Sequence, residues 1–344
     1  MKIRINMLSK ADSVPGQGVG SAYLEQVNLV KELENFDIEI NSKQSDFDIY
    51  HIHSVNLRYR LRMNKKHINV MYVHFVPSMN DGSIKLWKPI QKIFDRYVNR
   101  MYKKADELVV VNPAFIPPLL ELGIKSENIT YIPNYVDHKN FRKLDEKEVI
   151  KLKEKYGVPG DKFVVLGCGQ IQRRKGFDDF IKVAEDNPDI TFLWAGGFSF
   201  GRITDGYKKY KKIVANPPQN VKFLGIIDRN LMNEVYNISD VLFMPSYLEL
   251  FPMTILEVAN VGKPILLRKL DLYKPILFDN YLDGTNTDIF SLQIRSLRND
   301  KKLYDEYSNK SKKISEIYSK ENLLKQWGDY YLRIYEKNKL KYNK

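Results

Sequence analysis

The segment from Ser246 to Glu257 carries two carboxylates, Glu249 and Glu257, in a pattern that could support chemistry. Glu249 follows the apolar run Val241–Met244, and Glu257 lies in the helical pattern Met253–Val261. In an α/β fold the loop between a strand and the next helix borders the ligand crevice, so both acids could face one bound molecule. A carboxylate accepts two hydrogen bonds in one plane, which suits the vicinal hydroxyls of a hexose or a ribose. The spacing therefore indicates a sugar-nucleotide site, with two unrelated surface acids as the alternative.

Three cations, Arg173, Arg174 and Lys175, precede Gly176 and follow the apolar run Phe163–Cys168. Cations next to glycines form a compact anion site, because glycine lets the backbone approach a ligand closely. A diphosphate leaving group needs such positive charge as its glycosidic bond breaks. The segment therefore predicts a diphosphate site, and an exposed basic turn is the alternative.

Glycines also separate the first predicted strand from the first predicted helix, at Gly16, Gly18 and Gly20. The backbone amides of closely spaced glycines, together with a helix N-terminus, favour a phosphate or a sugar. The spacing is not a dinucleotide fingerprint, since Ser21 stands where the last glycine would be needed. A plain flexible loop is therefore the alternative to a ligand-binding loop.

Three histidines stand at the ends of apolar runs. His74 follows Asn69–Val73, and His51 and His53 end another run. A lone histidine at a strand end is more often structural than catalytic. His51 and His53 alternate along one strand, so they point to one face and could form a zinc pair. No third ligand is evident, and we expect no metal site. The single cysteine, Cys168, lies in an apolar run and is expected to be a small buried residue rather than a nucleophile.

The elements that must position these residues alternate short apolar runs with longer helical patterns, which is typical of βαβ units and a parallel sheet. The predicted strands are Ile3–Leu8, Phe36–Asn41, Asp48–His51, Asn69–Val73, Glu107–Val111, Ile129–Ile132, Phe163–Cys168, Thr191–Ala195, Val221–Leu224, Val241–Met244 and Pro264–Leu267. The alternation repeats, and 344 residues exceed one ordinary core. We therefore predict two domains, residues 1–150 and 151–319, with the junction between about 138 and 160.

The composition is globular and strongly basic. There are 55 lysines and arginines against 42 acidic residues, a net charge of +13. Such a charge indicates an anionic partner, namely nucleic acid, anionic lipid or nucleotide phosphates, although a lysine-biased proteome explains part of it. No zinc-finger spacing, aromatic RNA-binding sheet motif or helix-turn-helix is evident, so nucleic acid is not expected. One cysteine excludes an internal disulfide and suits a reducing compartment.

The N-terminal run Met1–Leu8 predicts a buried strand rather than a signal peptide. No apolar run reaches the ~18 residues of a membrane span. We therefore expect a cytoplasmic or peripheral protein.

The predicted helix Ile84–Lys104 is cationic. Its membrane-facing candidates are Lys85, Trp87, Lys88, Lys92, Arg96 and Arg100. A cationic helix with an aromatic residue near its start fits the interface of an anionic membrane. A neighbouring basic segment contains Arg58, Arg60, Arg62, Lys65 and Lys66. The alternative is a helix packed on the sheet with a solvated basic face, and both descriptions can hold for one helix.

The acid pair, the Lys175-Gly176 dipeptide and the run from Pro133 to Asp137 together resemble the signature of glycosyltransferase family 4. The resemblance implies the GT-B fold, an α/β architecture of two Rossmann-like doubly wound parallel-sheet domains with an interdomain cleft. It also implies that the last helix, in residues 320–344, packs back on the first domain. In such enzymes cations replace the metal ion that other glycosyltransferases use, so we expect no metal cofactor.

The resemblance also implies roles for individual residues. Glu249 would contact the transferred sugar, Glu257 the ribose hydroxyls and Lys175 the diphosphate, while His74 would meet the sugar hydroxyls at the reaction centre. The remaining donor-site candidates are Gly18, Gly20, Gln170, Arg173, Arg174, Gly196, Leu250, Phe251 and Pro252. Two positions depart from the family pattern. The family has Gly-Phe-Gly where this chain has Leu-Phe-Pro, and arginine where it has Gln170, so Arg173 or Arg174 is expected to supply the guanidinium.

The N-terminal run Lys2–Tyr23 resembles the branch of the family that adds a second hexose to α-monoglucosyldiacylglycerol for bacterial membranes and lipoteichoic acid anchors. That resemblance implies a retaining transfer from UDP-glucose or UDP-galactose that forms an α-1,2 link. The expected partners are a UDP-sugar, the glycolipid acceptor and the anionic cytoplasmic face of the membrane. The alternatives are a family member acting on a capsule, teichoic-acid or soluble acceptor, and a non-catalytic protein that binds membranes or nucleic acid.

Overall fold

The computed structural model describes residues 2–10, 18–79, 88–199, 201 and 204–342. It divides the chain into two compact units. The first unit comprises Met1–Asp81, Lys85–Tyr135 and Tyr318–Lys344, and the second contains Val136–Ile317.

Each unit is built on one parallel sheet. The strands are β1 (Ile3–Leu8), β2 (Phe36–Ile40), β3 (Ile49–Ile52), β4 (Ile68–Val73), β5 (Glu107–Val110), β6 (Ile129–Tyr131), β7 (Val164–Cys168), β8 (Thr191–Ala195), β9 (Val221–Gly225), β10 (Val241–Met244), β11 (Ile265–Arg268) and β12 (Leu282–Gly284). The helices are α1 (Gly18–Val30), α2 (Leu57–Arg62), α3 (Lys88–Lys104), α4 (Ile116–Glu121), α5 (Glu146–Lys155), α6 (Phe177–Glu185), α7 (Tyr207–Ala215), α8 (Met232–Ile238), α9 (Met253–Val261), α10 (Lys274–Leu277), α11 (Thr287–Asn299), α12 (Lys301–Ile317) and α13 (Lys320–Tyr342).

The order of the strands places a switch point in each sheet. Among the described residues the first sheet runs β2-β1-β3-β4-β5-β6 and the second β12-β11-β10-β7-β8-β9. The chain therefore winds to opposite sides of β1 and β3 in the first unit, and of β7 and β10 in the second. In open α/β sheets ligands bind at the carboxyl ends of the strands beside such a point. The residues that follow β3 in the first unit, and β7 and β10 in the second, are thus the ones placed for chemistry.

Each sheet is covered by aromatic side chains. In the second unit Phe180 on α6 packs edge-on against Trp194 of β8, with ring centroids 4.9 Å apart, and Phe243 of β10 lies 4.9 Å from Phe290. In the first unit α13 lies on β4, where Trp327 packs 5.7 Å from Tyr72. The central strands β3, β4 and β10 are buried along their whole length, as expected for a sheet covered on both faces, whereas the edge strands β2 and β9 are partly exposed.

The junction between the units differs from the sequence prediction of 1–150 and 151–319. The structure divides the chain at Tyr135 and again at Ile317. The segment after Tyr135 belongs to the second unit because asparagines of α8 satisfy its backbone. Asn237 accepts from the Leu144 amide at 2.8 Å and donates to the Arg142 carbonyl at 2.9 Å.

Three short elements were not predicted from the sequence, namely β12, α2 and α10. Each is shorter than two periods of its hydrophobic pattern, so the pattern does not repeat within it. Helix α2 depends on its Asn56 cap, whose side chain accepts from the Arg58 amide at 2.9 Å. The first residues of the predicted helix Ile84–Lys104 lie outside the described residues, which begin again at Lys88.

Candidate functional site

The loop between β10 and α9 carries Glu249 to the switch point of the second sheet. Its carboxylate accepts from the Lys175 ammonium at 2.5 Å, and both side chains are largely buried. Burial raises the pKa of Glu249, but the charges of Lys175 and Arg174 offset this and leave the pKa below its ordinary value. Glu249 is therefore ionised at neutral pH, and both of its oxygens act only as hydrogen-bond acceptors.

The turn after β7 is packed directly against that loop. Arg174 donates from Nη1 to the Leu248 carbonyl at 2.7 Å, and the Tyr247 amide donates to the Arg174 carbonyl at 2.8 Å. Gly176 has φ of +68°, and a Cβ there would lie 2.2 Å from the Pro245 carbonyl oxygen. Only glycine fits this position. In the Lys175-Gly176 dipeptide, packing therefore requires the glycine, and the lysine supplies a positive charge next to Glu249.

Arg268, at the end of β11, also contacts this loop. Its Nε donates to the Pro245 carbonyl at 2.8 Å and its Nη1 to the Thr285 carbonyl at 3.0 Å. The guanidinium also pairs with Asp179 and lies 3.9 Å from the ring centroid of Tyr247. The sequence analysis missed this residue. The charge within the apolar strand β11 was the signal that could have revealed it.

Glu257 is buried on α9 and held by two partners. Its Oε2 accepts from the Tyr236 hydroxyl at 2.5 Å, and its Oε1 pairs with Arg229. Burial, followed by the charge of Glu257, raises the pKa of Tyr236 well above its ordinary value, so the phenol remains a donor. Neither residue was identified from the sequence, because Arg229 lies in a short turn before α8 and Tyr236 falls in the ordinary helical pattern of α8.

The glycine turns after β7 and β8 pack backbone to backbone. The Gly169 amide donates to the Ala195 carbonyl at 2.9 Å, and Gly196 has φ of +137°. A Cβ on Gly196 would lie 1.9 Å from the Gly169 carbonyl oxygen. The structure therefore gives Gly196 a packing requirement, while its predicted role in the donor site stays a prediction. Gln170 is half-buried beside these turns.

The remaining predicted donor residues fall in different surroundings. Arg173 is exposed, whereas Arg174 is half-buried and bonded to the Glu249 loop, so the structure favours Arg174 as the second cation near Glu249. Leu250 is half-buried and Phe251 is buried. Pro252 is the N-cap residue of α9, where its missing amide hydrogen is tolerated.

Three of the four histidines of the first unit, His51, His53 and His74, form a buried row. His51 lies in β3, His53 follows β3 and His74 follows β4. The ring centroids of His51 and His53 are 4.5 Å apart, and those of His53 and His74 are 5.8 Å apart. Burial lowers the pKa of His74 to about 4, and burial with the charge of His74 lowers that of His51 to about 3. These imidazoles are therefore neutral at pH 7.

Gly18 and Gly20 lie in the first turn of α1, and Gly16 falls outside the described residues.

The described residues contain no group of three or more histidine, cysteine, aspartate or glutamate side chains arranged to hold a metal ion. In the same part of the chain no helix is long and apolar enough to cross a membrane.

Cys168 contacts the Thr254 hydroxyl at 3.9 Å, and burial raises the pKa of its thiol to about 11. The thiol is therefore protonated and a poor nucleophile at neutral pH.

Helices α2 and α3 form one mixed surface of the first unit, which we call the α2–α3 surface. The Lys104 ammonium donates to the Arg60 carbonyl at 3.0 Å and joins the two helices. Four large apolar side chains are exposed on it: Leu57, Leu61, Ile90 and Ile93, at 58%, 72%, 50% and 65%. Exposed cations among them are Arg58, Lys92, Arg96, Arg100 and Lys103. The predicted Lys85, Trp87 and the Lys88 side chain lie outside the described part of the structure.

Two family descriptions match the chain. "Glycosyltransferase Family 4" matches residues 27–140, and "Glycosyl transferases group 1" matches residues 148–314. The chain is 43% identical over 334 residues to the alpha-galactosylglucosyldiacylglycerol synthase of Streptococcus pneumoniae, covering 96% of this chain and 89% of the relative. It is 25% identical over 292 residues to the processive diacylglycerol alpha-glucosyltransferase of Acholeplasma laidlawii, covering 84% and 86%.

Solved structures of similar fold include Anabaena HepE in complex with UDP and glucose. It matches with a TM-score of 0.75 at 16% identity, over 95% of this chain and 98% of that chain. The sucrose-phosphate synthase of Thermosynechococcus elongatus matches with a TM-score of 0.80 at 14% identity, over 97% and 100%.

Proposed function

The chain belongs to glycosyltransferase family 4, and from that premise we propose that it transfers a hexose from UDP-glucose or UDP-galactose to α-monoglucosyldiacylglycerol. The product would be an α-1,2-linked diglycosyldiacylglycerol. The similarity to a galactosylglucosyldiacylglycerol synthase over 96% of the chain supports the acceptor. The observation that carries the chemistry is the buried pair of Glu249 and Lys175 at the switch point of the second sheet.

The donor would be held by groups that the second unit already orders. Glu249 would accept hydrogen bonds from the transferred hexose, and Glu257 would accept those of the ribose hydroxyls. Lys175 and Arg174 would neutralise the diphosphate as it leaves, which is the charge that develops in the transition state. Because cations of the chain supply this charge, we propose that no metal ion is required.

The transfer would retain the configuration of the anomeric carbon. Retention requires either a covalent intermediate on a protein nucleophile or attack on the face from which the leaving group departs. We propose the second route, in which the acceptor hydroxyl attacks on the face from which the diphosphate leaves. The bond from the anomeric carbon to the diphosphate breaks as the bond to the acceptor oxygen forms, and a leaving phosphate oxygen takes the acceptor proton. His74, neutral at pH 7, would bind a sugar hydroxyl at this centre.

We also propose that the α2–α3 surface rests on an anionic membrane, at its cytoplasmic face. Exposed leucines and isoleucines there would enter the acyl boundary, and the surrounding cations would meet lipid headgroups. Each cation near such a surface contributes about 1 kcal/mol. A peripheral position of this kind would give the enzyme access to an acceptor that stays in the bilayer.

The test is mass spectrometry of products from mixed micelles of α-monoglucosyldiacylglycerol and anionic lipid, offered UDP-glucose and UDP-galactose separately. A mass gain of one hexose with one donor establishes the reaction and identifies the sugar. Transfer only to a soluble or polymeric acceptor would retain the family and reject the lipid acceptor. Addition of EDTA to the active mixture should leave the rate unchanged, and loss of activity would reject the metal-independent mechanism.

A further inference from the structure

His53 lies beside the switch point of the first sheet, where the chain winds from β1 to β2 on one side and to β3 on the other. It is the first residue after β3, and its amide donates to the Leu8 carbonyl of β1 at 2.9 Å. His74 follows β4, the neighbouring strand. This end of the sheet is where an α/β fold binds its ligand.

The imidazole nitrogens at this edge are buried and lack partners. His53 is 3% exposed and His74 is 7% exposed. Within the described residues neither nitrogen of His53 has a hydrogen-bond partner, nor does Nε2 of His74. Buried polar groups are nearly always satisfied, because leaving one without a partner forfeits its hydration with nothing in return. His67, an equally buried histidine at the opposite end of β4, bonds through Nδ1 to the Phe47 carbonyl at 2.7 Å. The unsatisfied nitrogens of His53 and His74 therefore point to a ligand.

The chemistry of these two rings suits a hydroxyl. Burial lowers the pKa of His53 well below its ordinary value, as it does for His74, so each ring is neutral and offers one donor and one acceptor. A sugar hydroxyl also donates and accepts. The ring centroids are 5.8 Å apart, a separation that one oxygen can bridge with hydrogen bonds of about 2.8 Å.

Neighbouring aromatic rings fix the orientation of His53. Tyr23 on α1 and Tyr72 on β4 meet it edge-on, with centroids 4.9 Å and 5.0 Å away. A ring held in this way is preorganised, so binding a hydroxyl costs little side-chain entropy.

We propose that His53 binds a hydroxyl of the acceptor sugar, and that His53 and His74 together bridge that hydroxyl. This inference rests on the proposed function, because it takes the sugar of a glycolipid as the ligand. The cations and carboxylates for the donor lie in the second unit, which leaves these neutral imidazoles for the uncharged acceptor.

The kinetic test compares His53→Phe with the matched control His67→Phe. Phenylalanine keeps a buried aromatic ring and removes both nitrogens. His53→Phe should raise the KM for α-monoglucosyldiacylglycerol about tenfold and leave the KM for the UDP-hexose unchanged. His67→Phe should change neither constant, and His53→Gln, which keeps a donor and an acceptor, should recover part of the acceptor affinity. Equal kinetics for His53→Phe and His67→Phe would overturn the proposal.

A second test does not depend on turnover. Wild-type protein with ¹⁵N-labelled histidine would be titrated with octyl α-glucoside below its micelle concentration. The His53 resonances, identified by their loss in His53→Gln, should shift, while those of His67 stay in place. Unmoved His53 resonances would mean that the nitrogens bind only buried water, which rejects the inference. A shift without any hexose transfer would retain the sugar site and reject the proposed reaction.

Discussion

Glu249 and Glu257 are both buried carboxylates, yet the chain surrounds them differently. Glu249 is paired with the ammonium group of Lys175, which is a compact point charge. Glu257 is bonded to the Tyr236 hydroxyl and the Arg229 guanidinium. A ribose that reaches Glu257 must share or replace these donors, because a carboxylate has a limited number of lone pairs. The two acids can therefore perform separate tasks on one donor.

Replacing Glu257 tests the ribose role. Glu257→Gln keeps the shape but loses the negative charge, so it should raise the KM for the UDP-hexose about tenfold or more and change kcat less. The matched control is Glu234→Gln, whose carboxylate also accepts from a tyrosine, Tyr156, at 2.8 Å and pairs with Lys155 at 2.6 Å. Steady-state kinetics with both variants gives the answer. Wild-type donor KM in Glu257→Gln would contradict the assignment.

At the scale of elements, the site depends on a loop that has no regular structure of its own. Arg174 and Arg268 donate to carbonyls of the β10–α9 loop, and Gly176 packs closely against it. Because these contacts are to carbonyl groups of the loop, they restrain its backbone as well as its side chains. A rigid loop keeps Glu249 in place before the donor arrives, which is the condition for efficient positioning.

Removing the Arg268 guanidinium tests this arrangement. Arg268→Met keeps the aliphatic stem but loses three hydrogen-bonding contacts, and it leaves Asp179 without its paired guanidinium, so the free energy of unfolding should fall by about 2–4 kcal/mol. The same variant should lower kcat/KM by more than its folded fraction explains, because Glu249 is no longer held. Denaturant unfolding and kinetics measured on one preparation would check both effects.

The control for that experiment is Arg298→Met, which breaks the exposed pair with Asp189. Exposed pairs contribute about 0–1 kcal/mol, so its stability and activity should stay close to wild type. If Arg268→Met behaves like Arg298→Met, the loop does not depend on Arg268.

At the scale of the whole molecule, positive charge and exposed apolar side chains coincide on the α2–α3 surface. The net charge of +13 is spread over the chain, but this surface joins cations with four large exposed apolar residues. Charge attracts the protein to an anionic bilayer. Burial of apolar area adds a contribution to the binding free energy that salt does not screen.

Vesicle binding separates these contributions. The double variant Leu57→Ser with Leu61→Ser should bind anionic vesicles more weakly at high salt. The reason is that each leucine side chain that becomes fully buried in the bilayer contributes about 1.5–3 kcal/mol to binding. The matched control is Leu292→Ser, a leucine of α11 that is 63% exposed. Sedimentation with vesicles at low and high salt measures the difference. Equal loss in both variants would remove the α2–α3 surface as the contact.

The buried histidines predict how stability depends on pH. His51 and His74 have pKa values of about 3 and about 4 in the folded protein, against about 6.5 when unfolded. The unfolded chain therefore binds more protons below pH 6.5, and stability is lost as pH falls from there toward about 4. Each such histidine contributes about 1.4 kcal/mol per pH unit in that window. The facing phenols of Tyr72 and Tyr331 do not titrate there, because burial raises their pKa values.

Denaturant unfolding at pH 7, 6 and 5 checks this expectation. His74→Phe should lower the dependence of the unfolding free energy on pH by about one proton relative to wild type. An unchanged slope in that variant would show that His74 is already protonated in the folded state.

Much of the architecture follows from local sequence pattern. The GT-B class is confirmed, and the predicted strand Val241–Met244 and helix Met253–Val261 have the bounds that the structure shows. This success has a physical reason, since hydrophobic period and glycine or proline boundaries act over a few residues. The acid pair and the Lys175-Gly176 turn were found in the same way, because each motif is local.

The tertiary structure alone decided which residues complete the site. Arg268 reaches Asp179 and Pro245, and Tyr236 reaches Glu257, across elements that are distant in the chain. The junction at Tyr135 likewise depends on Asn237, far along the sequence. No local pattern encodes such pairings, because they arise from the order of strands in a sheet and the packing of helices on it. Local sequence specifies the elements and the chemical groups they carry, and long-range packing brings particular groups together.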